Sequence, residues 1–417
     1  MDMKFKELLI KGYRGLRELN IPLNRINVIV GPNNTGKSAI LEAMALVTLK
    51  DNDFVDVKGD NIANYLMKRK KYPIEFIVNM DADAAIIETD GLSLKIEYFP
   101  EGLPHEEAYK ISGFLENEIS NFVDRDRLKI VSALDLFARE IKFEDREVVQ
   151  KAISKVLRQL MLPEENERRE IIEHAMDLIV RNPKLLFASE KTLHIFLPQP
   201  PTLEFSDKLN FVGVSSLFDR FITIDSEGQK NPENVIFSFQ RTGTETIQKL
   251  YGELVKRGTI NSAISLIRDF VPYVLDIRMV ESREIFVLTE FLREAISINS
   301  MGDGFISLIR MIFLFGLVKD GLIILEEPEI SLHPGFIDVI SNVMVSNTQN
   351  NQILMSTHSI DFIENLLETA EQQDRLDTIN IIRLHRREDV HDIFAEVLSG
   401  KEALEEIEAI GTDLRST

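Results

Sequence analysis

Gly31-Pro32-Asn33-Asn34-Thr35-Gly36-Lys37-Ser38 meets the phosphate-loop pattern G-x-x-x-x-G-K-[ST] at every fixed position. Residues 26–30 before it, Ile-Asn-Val-Ile-Val, read as a buried strand. After it, Ile40, Leu41, Met44 and Val47 make one apolar helix face. Strand, glycine-framed turn and helix start together point backbone N–H groups at an anion. In such a cradle Lys37 is expected to reach the β- and γ-phosphates of a bound ATP, and the Ser38 hydroxyl to ligate Mg2+. A chance glycine-rich turn satisfies the pattern but not its strand and helix context.

Far along the chain, Leu322-Ile323-Ile324-Leu325 runs into Glu326-Glu327-Pro328-Glu329. An apolar strand ending in acids puts carboxylates at the carboxyl edge of a sheet, where open α/β folds bind ligands. Glu326 is expected to serve the metal, and Glu327 to act as the base that polarises the attacking water. Ser356-Thr357-His358-Ser359 closes the next strand, and from there His358 could sense the γ-phosphate; a lone histidine in a loop is more often structural. Asn299-Ser300-Met301-Gly302-Asp303-Gly304-Phe305 opens a helix with small residues, a second potential phosphate-binding surface or simply a turn.

Between and around these motifs the coarse pattern is α/β. Strands are expected at residues 5–10, 26–30, 74–79 and 92–98, then a helical insertion from about 104 to 183. Strand-like segments return at 192–197 and 210–214, and a helical stretch from Ile247 runs to about Phe270. From residue 305 onward helices (305–317, 335–345, 361–368) alternate with strands (322–325, 352–356, 378–384), as a parallel sheet with covering helices requires. The organisation expected is 1–103 for the first part of an ATPase head, 104–190 for the insertion, 191–298 for a segment completing the head and lid, and 299–417 for its C-terminal part.

Bulk properties narrow the function classes. A chain of 417 residues that is 44% hydrophobic and 28% charged is ordinary globular protein rather than a disordered one. The absence of cysteine excludes disulfides, thiolate metal sites and cysteine nucleophiles. No apolar run reaches spanning length, since Arg310 interrupts the best candidate at 308–318, and the start resembles no signal peptide; a cytoplasmic protein without a membrane partner is expected. The net charge of −20 opposes non-specific attraction to DNA, so any such contact needs a local patch. Lys68-Arg69-Lys70-Lys71 is one, though short basic runs are commonly solvated surface.

With these motifs in this order, the chain resembles the ABC-like branch of P-loop ATPases that includes RecF, SMC and the ATPase part of OLD-family nucleases. Leu9-Ile10-Lys11-Gly12-Tyr13-Arg14-Gly15-Leu16 is similar to that branch's opening, Glu326-Glu327-Pro328-Glu329-Ile330-Ser331-Leu332-His333-Pro334 to the OLD-type Walker B and D-loop, and residues 300–304 to the ABC signature. The resemblance implies an ATP-hydrolysing homodimer in which nucleotide lies between Lys37 of one chain and Ser300, Gly302 and Gly304 of the other. It makes Glu327 the catalytic base and His358 the switch histidine. Glu326 departs from the aspartate usual there, so its longer side chain is expected to reach Mg2+ through water. Gln199 and Gln240 both remain candidates for the Q-loop glutamine. Only about sixty residues follow His358, too few for the Toprim nuclease domain of OLD proteins, so nuclease activity is not expected. The implied function is an ATP-driven switch in DNA repair or anti-virus defence with a separate effector. The alternatives are an ATP-gated DNA clamp and, less favoured, a transporter ATPase.

Overall fold

The computed structural model describes residues 5–48, 76–99, 209–215, 220–228, 235–238, 244–280, 284–348, 351–386 and 392–410. The expected insertion at 104–190, the basic run at 68–71, the strand at 192–197, Gln199 and Gln240 lie outside them. Contacts divide the chain into two units. The first comprises residues 1–71, 77–95 and 226–417, and the second 72–76 and 96–225.

The first unit is built on a six-stranded sheet. In chain order its strands are β3 (Ile26–Val30), β8 (Val235–Ser238), β12 (Leu322–Glu326), β13 (Gln352–Ser356), β14 (Ile379–Arg386) and β15 (Ile393–Ser399); in space they run β15-β14-β3-β13-β12-β8. All neighbours are parallel except β14 and β15. Strands buried on both faces need continuous apolar runs, and β3 and β13 are buried at every residue. The buried amides of Asn27 and Gln352 are satisfied at the opposite end of the sheet from the motifs. Asn27 Nδ2 donates to the carbonyls of Asn24 and Ile353, and Gln352 Nε2 to those of Phe5 and Asn24.

Strands β1 (Glu7–Tyr13), β2 (Leu16–Pro22), β4 (Ala84–Thr89) and the first half of β5 (Leu92–Phe99) form an antiparallel layer ordered β2-β1-β4-β5. Helix α1 (Lys37–Thr48) touches β1 and β4 on one side and β12 and β13 on the other, which explains why every one of its residues but Ser38 is buried. Glu42, fully buried on α1, pairs with Arg14 in the β1–β2 turn, so the helix that carries the phosphate loop is tied to that hairpin by a charged contact.

Helices α2 (Thr244–Lys256), α3 (Ile260–Phe270) and α4 (Asp303–Leu317) pack together, and α5 (Pro334–Asn347) packs between α4 and α6 (Ile360–Gln372). A small antiparallel sheet, β11-β10-β9, is formed by Val274–Met279 (β9), Ile285–Thr289 (β10) and Ile296–Ser297 (β11). Helix α7 (Gly400–Ile410) follows β15. In the second unit, β6 (Leu209–Ser215), most of β7 (Arg220–Gly228) and the last residues of β5 are ordered β5-β7-β6.

Several expectations need correction. Within 74–79 the described residues hold only an isolated bridge, Val78 to Tyr13, rather than a strand. The helical stretch beginning near Ile247 is two helices, because Gly258 adopts φ +72 and ends the first. The first strand, expected at 5–10, continues to Tyr13 and returns as β2. Strands β2, β4, β9 and β15 escape the apolar pattern because each carries charged residues at its exposed positions, and β10 and β11 because they are short.

Candidate phosphate-binding site

Strand β3 feeds directly into the turn at 31–36. Gly31 has φ +141, and a side chain there would place Cβ 2.7 Å from the Leu384 carbonyl oxygen of β14. Gly36 has φ +89 with Leu16 Cδ2 2.7 Å from its would-be Cβ, so both glycines of the motif are demanded by backbone conformation and close approach. Thr35 Oγ1 donates to the Pro32 carbonyl at 2.8 Å, bracing the loop, while Pro32, Asn33 and Asn34 form its exposed tip. Lys37 folds over the turn: its Nζ donates to the carbonyls of Gly31 (2.7 Å) and Pro32 (2.8 Å). Burial pushes the Lys37 ammonium below its usual range, and the nearby charge of Glu327 partly offsets this.

Strand β13 lies between β3 and β12, so the phosphate loop and the acidic turn exit two strands apart, about 10 Å at the usual strand spacing. Side chains close that gap. Ser38 Oγ donates to Glu326 Oε1 at 2.5 Å. Register explains the meeting: Glu326 is level with Ser356, and Ser356 with Ile29, so all three strands end on one line.

Beyond β12 the chain turns sharply. Glu327 adopts φ +45 and Ser331 φ +65, and the Glu327 N–H donates to the Ser356 carbonyl at 3.0 Å. Glu327 Oε1 then stands 3.6 Å from His358 Nε2. Glu329 reaches across to the same β13 exit, where its Oε1 accepts from Thr357 Oγ1 (2.6 Å) and the His358 N–H (3.1 Å).

Lys37, Ser38, Glu326, Glu327 and His358, predicted from segments far apart in sequence, therefore converge at one sheet edge. Ser300, Gly302 and Gly304 hold a different position, at the start of α4. Ser300 closes a short 3-10 turn, Gly302 is the helix N-cap, and both are exposed. Gly304 faces the turn after β12, since a Cβ on it would lie 2.8 Å from the Ser331 carbonyl oxygen. Its lack of a side chain is thus explained within one chain. Glu329 and the Glu42–Arg14 pair were given no role from sequence. For Glu329 the available signal was a third carboxylate directly after Glu326-Glu327-Pro328; Glu42, inside an apolar helix stretch, gave only its charge as a hint.

A phosphate loop on one strand of a mostly parallel sheet, an acidic turn two strands away and an antiparallel layer beyond α1 define an ABC-like P-loop ATPase head. The chain belongs to the AAA ATPase domain family, which matches residues 3–363. It is similar to the uncharacterized protein MJECL11 of Methanocaldococcus jannaschii, with 28% identity over 117 residues that cover 28% of this chain and 99% of that protein. A 38-residue stretch is 58% identical to the uncharacterized protein MJECL10 of the same organism, covering 9% of this chain and 17% of that one. Among solved structures, the Smc head domain with a coiled coil and joint from Pyrococcus yayanosii aligns over 98% of this chain and 99% of that one, at 13% identity and a TM-score of 0.45. The Smc head domain of Pyrococcus furiosus bound to the C-terminal domain of ScpA aligns over the same shares at 13% identity and a TM-score of 0.42. At such scores the fold assignment rests on this chain's own strand order and loop geometry. Among the described residues no helix is long and apolar enough to cross a membrane.

Proposed function

We propose that this protein binds ATP with Mg2+, hydrolyses it, and uses the cycle to switch between separate chains and a homodimer closed around the nucleotide. The observation that carries this reading is the 2.5 Å contact between Ser38 Oγ and Glu326 Oε1, which unites the phosphate loop with the acidic strand end. Two hard oxygen donors converging beside a phosphate cradle fit Mg2+, which prefers carboxylate and hydroxyl oxygen along with water and phosphate. When bound, the ion would neutralise charge on the β- and γ-phosphates.

The chain's own groups supply the rest. The start of α1 and the N–H groups of the turn hold the phosphates, with Gly31, Pro32, Asn33, Asn34, Thr35 and Gly36 shaping the cradle. Lys37 releases the two carbonyls it now contacts and turns its ammonium to the β,γ-bridge. Glu327 orients a water for in-line attack and accepts its proton, and His358, 3.6 Å from it, meets the γ-phosphate. Of the two glutamine candidates we favour Gln240: β8, which ends at Ser238, is the direct parallel neighbour of β12.

Exposure of Ser300 and Gly302 at a helix N-terminus supports the dimer, because the start of a helix favours an anionic nucleotide held by a second copy. Residues 1–103 and 191–417 would then make the head and 104–190 its insertion. Its place of action is the cytoplasm, and its output passes to a separate effector in DNA repair or defence. The −20 charge favours that switch over a DNA clamp. The test is ATP turnover together with sedimentation of the Glu327→Gln variant. An ATP-dependent dimer is expected; a monomer that has ATP bound overturns the switch. Lys37→Ala should lose ATP binding, and unchanged affinity and turnover would overturn the site itself.

A further inference from the structure

Glu329 is held where none of the proposed chemistry requires a carboxylate. Its Oε1 accepts two hydrogen bonds from the chain leaving β13, from the Thr357 hydroxyl and the His358 N–H. Thr357, fully buried, donates its hydroxyl to Glu329 Oε1 and accepts the Ser359 N–H at 3.0 Å on the same oxygen. The Thr357 N–H donates to the Ile29 carbonyl, the last but one residue of β3. Ser359 Oγ in turn accepts the Phe362 N–H and caps α6. His358 sits inside this chain of bonds with its own N–H on Glu329, and its side chain reaches Glu327.

Besides the Glu327–His358 contact, two hydrogen-bonded links join the two turns. One link is backbone to backbone, Glu327 N–H to Ser356 carbonyl. The other is Glu329, which ties the far side of the acidic turn to Thr357 and His358. Without the second link the acidic turn loses the bonds that fix it to the Thr357 hydroxyl and the His358 amide. Glu329 Oε2 is buried with no hydrogen-bond partner among the described residues, a cost tolerated where the other oxygen fixes a geometry.

We propose that Glu329 is a positioning residue that sets the separation of Glu327 and His358 by clamping the two turns, so that it governs the hydrolytic step and not nucleotide binding. The catalytic consequence rests on the function proposed above; the clamp itself does not. Displacement of reacting groups by about 1 Å costs on the order of 100-fold in rate, so even partial release of the turns registers in kcat.

The experiment compares Glu329→Ala, Glu329→Gln and Thr357→Val in the full chain. It measures ATP turnover, KM for ATP, and hydrogen exchange of the His358 and Ser359 amides. Glu329→Ala should lower kcat at least about 10-fold with KM within about 3-fold, and speed His358 amide exchange about 10-fold. Glu329→Gln keeps a carbonyl acceptor at Oε1 and should restore all three to within about 3-fold. Wild-type kcat and exchange in Glu329→Ala overturn the proposal, as does a Gln variant no better than Ala. If Glu329→Ala does not fold, Thr357→Val decides: a kcat loss at constant KM upholds the clamp, and unchanged kcat overturns it. If the wild-type chain hydrolyses no ATP, the function proposed above fails, and the exchange rates still decide whether Glu329 holds the turn.

Discussion

Ser38 Oγ and Glu326 Oε1 lie 2.5 Å apart although 288 positions separate them in the chain. The contact makes the two residues a single oxygen pair beside the phosphate cradle, and they should behave as one unit toward metal. Ser38→Ala and Glu326→Ala are each expected to weaken ATP binding in Mg2+ and leave the affinity without Mg2+ nearly unchanged. The double variant should show a coupling of about 0.5–3 kcal/mol. Calorimetric titration with and without Mg2+ measures this, and strictly additive effects would count against a shared ion.

Glu327→Gln preserves shape and removes the carboxylate proposed as the base. Turnover should fall by about 100- to 10,000-fold with nucleotide affinity retained. Single-turnover kinetics with labelled ATP provide the check; wild-type turnover would move the base elsewhere.

The glycines divide by physical cause, and alanine substitution should separate them. At Gly31 the left-handed φ and the Leu384 carbonyl oxygen at 2.7 Å both oppose a Cβ, so Gly31→Ala should cost about 1–3 kcal/mol or more in unfolding free energy. At Gly302 nothing lies within 4 Å of the added Cβ and the backbone is extended, so the N-cap change should cost no more than about 1 kcal/mol. Gly302→Ala should nevertheless weaken ATP-dependent dimerisation in sedimentation if a partner nucleotide docks there. A folded variant that dimerises normally would remove Gly302 from the interface.

Burial pushes the Glu329 carboxyl above its ordinary range, partly countered by the Thr357 hydroxyl and by the N–H groups of Glu329, His358 and Ser359. A raised folded value means the fold favours the neutral acid. The stability this contributes is present below the ordinary carboxylate range and is lost as pH rises through the raised value. Glu329→Gln does not titrate, so it should gain stability relative to wild type as pH is raised across that window and hold a constant advantage above it. Urea unfolding at a series of pH values from 4 to 8 tests this; a difference that is flat or falls with pH refutes the assigned direction.

Elements whose signal is local were legible from the residues. Strands β3, β12 and β13 are near-continuous apolar runs buried on both faces, and the expected bounds 26–30 and 352–356 coincide with the observed ones. Helix α1 announced itself through its apolar spacing after the phosphate-loop pattern. The antiparallel strands β2, β4 and β15 were not legible, because Arg17, Glu18, Glu88, Phe394 and Glu396 on their less buried positions blur the pattern that the buried positions carry.

By itself the amino-acid order determined that a glycine-framed turn of the phosphate-loop pattern, an acidic strand end and a histidine turn exist, since each depends on residues adjacent in the chain. Tertiary structure alone decided that β13 lies between β3 and β12, that Ser38 meets Glu326, and that Glu329 spans to Thr357 and His358. Strand neighbours are chosen by how the whole sheet buries its faces and satisfies its backbone, and that choice is written in no single segment.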